Sequence, residues 1–178
     1  RTEGAWLFGG NANLPSDVNF KWAKEVNDDF HARFNAHARS YEYKIHHHPV
    51  RSSLKTGYYL WEPRSLNIDD MRKAAAFLVG EHDFSCFRGS MCQAKSPIKT
   101  IEYLQIDEID DDLIIKVKAN AFLHHMVRNL VGTLLKIGRE EESPEWMLSV
   151  LNSKDRKQAG PTAEPQGLYF IKAYYQTL

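Results

Sequence analysis

Tyr41, Tyr43 and Ile45 alternate with Glu42, Lys44 and His46, the two-residue period of a half-buried strand. Leu104-Gln105-Ile106 and Leu113-Ile114-Ile115-Lys116-Val117-Lys118 flank Asp110-Asp111-Asp112, which predicts a hairpin around an acidic turn. The period then lengthens. Met71, Ala74, Ala75 and Leu78 fall on one helical face, with Asn67 able to cap its start and Gly80 to stop it. Phe122, Met126, Leu130 and Leu134 recur every four residues, predicting a longer helix that Gly138 can end. Ser143-Pro144 is an N-cap and first-turn pair for a third helix over 145–151. Residues 167–174 are apolar on both sides, the mark of a central strand. Gly9-Gly10 lacks a P-loop lysine and reads as a turn. Hairpins and helices without regular βαβ alternation predict an α+β fold, an antiparallel sheet with helices packed on one face.

Composition narrows the function classes. A chain of 178 residues suits one domain, or one domain with part of another, and can bury a real core. At 43% hydrophobic and 26% charged it is not a disordered sequence. No apolar run reaches the roughly 18 residues of a membrane span, so no membrane partner is expected. Net charge is zero, 23 basic against 23 acidic residues, which argues mildly against a nucleic-acid binder. The distribution softens that reading. Acids cluster at Asp107-Glu108, Asp110-Asp111-Asp112 and Glu140-Glu141-Glu142, while Arg33, His37, Arg39, Arg51, Lys55 and Arg88 fall elsewhere. A balanced total can therefore conceal a positive face.

Cys86 and Cys92 make no disulfide framework, and with no second Cys pair or spaced His they make no zinc site. They read as buried or partly buried free thiols in a reducing cytoplasm. His46-His47-His48 on a strand point to alternate faces and cannot all converge on one ion. A metal hydrolase is accordingly the weak reading. The chain begins at Arg1 rather than Met and its neighbours read as interior sequence, so a fragment of a longer protein is expected.

The stretch Lys118-Ala119-Asn120-Ala121-Phe122-Leu123-His124-His125-Met126-Val127-Arg128-Asn129 carries the chemistry. Arg128 falls among Val127, Leu130, Val131 and Leu134, on a helix that is nearly apolar all round. Desolvating a guanidinium there without an anion costs several kcal/mol, so a carboxylate or phosphate should meet it. Adjacent helical residues diverge by about 100°, so at most one histidine shares a face with Arg128, and His124, four positions before it, is the expected neighbour.

Six ordered segments resemble the TruA family of tRNA pseudouridine synthases, and the resemblance runs over essentially the whole chain. They are Asn11-Ala12-Asn13-Leu14-Pro15, Asp28-Asp29-Phe30-His31-Ala32-Arg33-Phe34, Ala38-Arg39-Ser40-Tyr41-Glu42-Tyr43, Gly80-Glu81-His82-Asp83-Phe84, the Lys118 to Asn129 stretch and Gly167-Leu168-Tyr169. The resemblance implies isomerisation of uridine to pseudouridine in the anticodon arm of tRNA, by a homodimer without metal or cofactor. The implied nucleophile is an aspartate that assists cleavage of the glycosidic bond before the base rotates and rejoins through carbon. Tyr41 matches the active-site tyrosine that packs on the target base and is a candidate to take the proton from C5. Arg128 matches the arginine that pairs with the catalytic aspartate. Arg33, His31, Arg88 and His124, inside or beside these segments, are candidate RNA contacts suited to phosphates.

One departure matters. The family's aspartate sits in a Gly-Arg-Thr-Asp-x-Gly-Val-His type loop, and no such loop occurs here. Arg1-Thr2-Glu3-Gly4 is a lookalike whose spacing to Asn11 aligns it with a helix downstream of that loop, so Glu3 is not the nucleophile. By this resemblance, residues 1–28 are the last helix and crossing strand of an N-terminal half, and residues 29–178 a C-terminal pseudouridine synthase domain. These residues alone are expected to be inactive. The alternative is a non-catalytic RNA-binding or dimerisation module, favoured by the missing loop and disfavoured by the zero net charge.

Overall fold

A computed structural model describes residues 2–176. They form two compact units, residues 2–35 with Gln176, and Ala36–Tyr175. The first holds helix α1 (Glu3–Asn11), whose N-cap Thr2 accepts the Ala5 amide through Oγ1 at 3.3 Å. Asn11 binds the Phe20 backbone in both directions, at 2.9 and 2.7 Å. Gly9 and Gly10 lie inside α1 rather than in the expected turn. At Gly10 the reason is steric, because a Cβ there would stand 2.7 Å from the Phe20 ring. Glycine's cost in a helix is offset by an aromatic seated on the bare backbone. No residue from 2 to 35 is buried, and Trp6, Phe8, Phe20, Trp22 and Phe34 stay exposed.

The second unit is built on a six-stranded sheet: β1 (Ala38–His47), β2 (Leu60–Glu62), β3 (Gly80–Asp83), β4 (Ile98–Ile109), β5 (Asp112–Ala119) and β6 (Leu168–Tyr174). The order is β2-β1-β5-β4-β3, with β6 also on β1. The β4/β5 hairpin turns at Asp110 and Asp111, and Asp110 takes the left-handed conformation (φ 53°) that a short polar side chain tolerates. The α+β expectation holds, with one correction to the sheet. β2 runs parallel to β1, Ile45 opposite Leu60, so the sheet is mixed rather than wholly antiparallel.

A second correction concerns β6. It pairs with β1 alone among the described strands and lies at the edge, with Phe170 and Ile171 exposed. No residue of β6 is buried, so apolarity on both sides of this strand marks neither a central position nor covered faces.

Helices α2 (Ile68–Ala76), α3 (Met126–Gly138) and α4 (Trp146–Ser153) complete the core. Asn67 caps α2 as expected, its Oδ1 accepting the Asp70 amide at 3.1 Å. Gly80 does not stop that helix; it opens β3 at a φ of 106° after α2 has ended at Ala76. Ser143 offers Trp146 its backbone carbonyl, 3.1 Å, and Glu145 takes the cap position of α4. Tyr43, Ile45, Ile115 and Val117 from the sheet pack with Met71, Leu130, Leu134 and Met147 from the helices and Leu78 from the turn after α2. This core fixes one end of α3 beside β1, where the candidate chemistry lies.

Candidate active site at the start of α3

Eleven of the 13 residues of α3 are buried, and the exceptions are Arg128 and Lys136. The helix begins later than its apolar period predicts. His125 occupies the position before it in the left-handed conformation, φ 60°, with no side-chain cap, so Phe122 and His124 precede the helix. A non-glycine residue in that conformation costs about 1–2 kcal/mol. The expected helical pairing of His124 with Arg128 is therefore absent. Instead the His124 and His125 rings stack on each other, centroids 3.8 Å apart. Burial lowers the His125 pKa, and the nearby His124 and Arg128 charges lower it further. Two adjacent residues share one side because the chain between them is not helical.

The loop of Arg88 and Cys92 supports this start. Gly89 donates its amide to the His124 carbonyl at 2.8 Å, and a Cβ on Gly89 would lie 2.9 Å from His124 Nδ1. The Arg88 guanidinium donates to the carbonyls of Cys92 (2.9 Å) and Ala94 (2.8 Å). Cys92 Sγ accepts the His124 amide at 3.3 Å. Burial pushes the Cys92 thiol up, but the amides of His124 and Ala94 and the Arg88 charge outweigh it and bring the thiol below its usual range. Cys86 is buried and pushed up to about 12. Both cysteines are free.

Tyr41 stands on β1 where the pairing with β6 slips by one residue between Ser40 and Tyr41. Such bulges re-aim side chains. Its ring meets Phe122 edge-on at 5.0 Å and Phe170 at 5.4 Å, forming an aromatic group with one exposed member. Burial raises the Tyr41 phenol, with Arg39 opposing, so it remains protonated near neutral pH.

Arg128 is half-buried. Its Nε donates to the Ala163 carbonyl at 2.6 Å, and its own carbonyl accepts the Ala163 amide at 3.1 Å. Among the described residues no carboxylate comes within 4.0 Å of its guanidinium. Lys136, the other cation of α3, has Glu142 at 3.5 Å. Tyr43, two residues beyond Tyr41 on the same strand, feels the Arg128 charge and donates its hydroxyl to the Glu164 carbonyl at 2.6 Å. No hydrogen bond or ring contact joins Tyr41 to Arg128 directly. Sequence reasoning gave Tyr43, Asn129 and Ala163 no site role; Tyr43 and Asn129 lie within the resemblance segments, and nothing pointed to Ala163.

His31 and Arg33 belong to the first unit, and both are exposed. The His31 ring accepts the Arg33 amide at 3.1 Å and packs on Phe34 at 4.3 Å, while the Arg33 guanidinium lies over the same ring. The three consecutive histidines do not all converge: His46 meets Asp112 at 3.0 Å and stacks on His48 with centroids 5.8 Å apart, while His47 meets the Arg64 carbonyl. Among the described residues no three His, Cys, Asp or Glu side chains are grouped to hold a metal ion. Nor is any helix long and apolar enough to cross a membrane. A hollow of about 240 Å³, lined by His46, Lys55, Tyr59, Trp61, Glu164 and Gln166, shares Glu164 with the segment that holds Arg128.

Known proteins give this geometry a context. The model of the family described as tRNA pseudouridine synthase matches residues 74–176. The tRNA pseudouridine synthase A of Vibrio campbellii is 48% identical over 171 residues, covering 96% of this chain and 65% of that protein. That of Nitrosococcus oceani is 47% identical over 175 residues, covering 98% and 68%. That of Histophilus somni is 47% identical over 175 residues, covering 98% and 65%. The chain thus spans about two thirds of the length of these curated relatives. With a family model spanning more than half of it and relatives this similar along nearly its whole length, the chain belongs to the tRNA pseudouridine synthase family.

Proposed function

We propose that this chain forms the arginine-bearing side of a site that isomerises uridine to pseudouridine in tRNA. The observation that carries the reading is Arg128, half-buried, with one donor occupied by a carbonyl and no carboxylate partner among the described residues. A guanidinium so placed is set up to keep a carboxylate ionised and oriented. That carboxylate is the nucleophilic aspartate of the family, contributed by residues outside this sequence. In the reaction the bond from C1′ to N1 breaks and the bond from C1′ to C5 forms. C5 loses a proton and N1 gains one, so the change is redox-neutral and requires no metal or cofactor.

Tyr41 supplies a ring for the extruded base, and stacking of this kind is worth about 1–3 kcal/mol. Its protonated phenol favours packing over proton abstraction. Arg33, His31, Arg88 and His124 contact RNA phosphates; Arg88 and His124 do so from the loop beside α3, with two of Arg88's donor bonds already ordering that loop. The working particle is a homodimer in the cytoplasm.

The test uses unmodified tRNA transcript. The 178-residue chain alone should yield no pseudouridine, and the full-length protein that supplies the aspartate loop should yield it. Turnover by the chain alone would refute the role given to the outside carboxylate.

A further inference from the structure

Arg128 is aimed by a segment that also ties itself to the side of α3. Backbone packs against backbone there: a Cβ on Gly132 would land on the Pro161 carbonyl oxygen, and a Cβ on Gly160 would stand 2.6 Å from the Gly132 carbonyl. Gly160 donates its amide to Thr133 Oγ1 at 2.9 Å, and that hydroxyl donates to the Asn129 carbonyl at 2.8 Å. Asn129 is fully buried and is anchored by its Nδ2 to the Phe87 carbonyl at 2.8 Å. Its Oδ1 accepts from Thr162 Oγ1 at 2.6 Å and from Arg156 at 3.1 Å. Arg156 also reaches Thr162 Oγ1 at 3.0 Å and the Gly160 carbonyl at 2.9 Å. The next residue is Ala163, whose carbonyl receives Arg128 Nε, and beyond it Glu164 is held from β1 by the Tyr43 hydroxyl.

Resting on the functional reading above, we propose that residues 156–164 are a strap that positions Arg128, with Thr162 and Arg156 as its positioning residues. A free arginine side chain carries about 2 kcal/mol of rotamer entropy. One bond at Nε to a fixed carbonyl removes much of that freedom and leaves the two terminal nitrogens to receive a carboxylate end-on. The carbonyl stays fixed only while Asn129 Oδ1, Thr162 and Arg156 hold together. A displacement of about 1 Å in a reacting group can cost on the order of 100-fold in rate, so loosening the strap should lower turnover without touching substrate binding.

The test is made in the full-length enzyme with Thr162→Val, Thr162→Ser and Arg156→Ala. Thr162 is exposed, so the nearly isosteric Thr162→Val removes the hydroxyl with little threat to folding. Thr162→Val and Arg156→Ala should each lower kcat about ten-fold with KM for tRNA held within about two-fold, and Thr162→Ser should keep wild-type kcat. The Arg128 Nε–H signal, assigned by its loss in Arg128→Lys, should shift in a ¹⁵N spectrum of Thr162→Val and stay in place in Thr162→Ser. The strap is overturned if both Thr162→Val and Arg156→Ala keep kcat within about two-fold of wild type. It is also overturned if Thr162→Ser loses as much as Thr162→Val, since packing rather than the hydroxyl would then be at work. A wild-type enzyme that makes no pseudouridine refutes the functional reading itself and takes the strap with it, an outcome distinct from an active wild type with unaffected variants.

Discussion

The two ends of α3 treat a guanidinium in opposite ways. At the C-terminal end Arg139, the C-cap residue, meets the Glu62 carboxylate, which is 2% exposed and also bound by Arg64. At the N-terminal end Arg128 meets a peptide carbonyl and no carboxylate of the described residues. Both positions are only partly open to water, so the difference does not come from burial. A structural arginine has its counter-charge supplied by the same domain, and its hydrogen bonds are completed there. Under the proposed function, Arg128 is held by neutral groups and keeps its charge for a carboxylate from elsewhere.

The sharpest way to break this contrast is Arg128→Ala in the full-length enzyme. Pseudouridine formation should fall on the order of 10³-fold, the scale of losing one charge-stabilising donor, while tRNA affinity and urea midpoint stay near wild type. Equal losses of turnover and affinity would make Arg128 a plain RNA contact. Arg139→Ala should do the reverse. Leaving Glu62 buried with less compensation should cost about 3 kcal/mol in urea unfolding, with turnover per folded molecule nearly unchanged. Loss of activity in a folded Arg139→Ala protein would erase the distinction between the ends.

Smaller effects sharpen it further. Tyr41→Leu should lose about 1–3 kcal/mol of transition-state stabilisation, the worth of a stacked ring, and Tyr41→Phe distinctly less. Similar losses for the two would return proton abstraction to the phenol. The smallest effect is in pH. Burial raises the Glu62 carboxyl, but hydrogen bonds from Arg139 and Arg64 outweigh it and leave it below its ordinary value of 4.5. A depressed folded-state pKa contributes stability that is fully present above the unfolded value and is lost as pH falls through the folded one. Urea midpoints should therefore decline below about pH 4.5, and that slope should flatten in Glu62→Gln.

Much of this was legible in the residues. The β1 alternation, the acidic hairpin and the Asn67 cap follow local rules, and local rules decided them. The start of α3 was misread because a four-residue period extends through Phe122 whether or not His125 keeps helical dihedrals. The place of β6 at the sheet edge was hidden because none of its apolar residues is buried, and Phe170 and Ile171 stay exposed. Arg128 could be singled out from the cost of desolvating it. Asn129 and Thr133 could not, because their partners are Phe87, Thr162 and the Gly160 amide, far along the chain and without periodicity.

The lowered thiol at Cys92 has a practical consequence. Its sulfur adjoins the His124 amide, whereas the only other sulfhydryl, Cys86, is enclosed and pushed up to about 12. A maleimide dye at neutral pH should therefore mark Cys92 in preference to Cys86, beside His124, four positions before Arg128. Under the proposed function, a label there would report tRNA binding beside the start of α3.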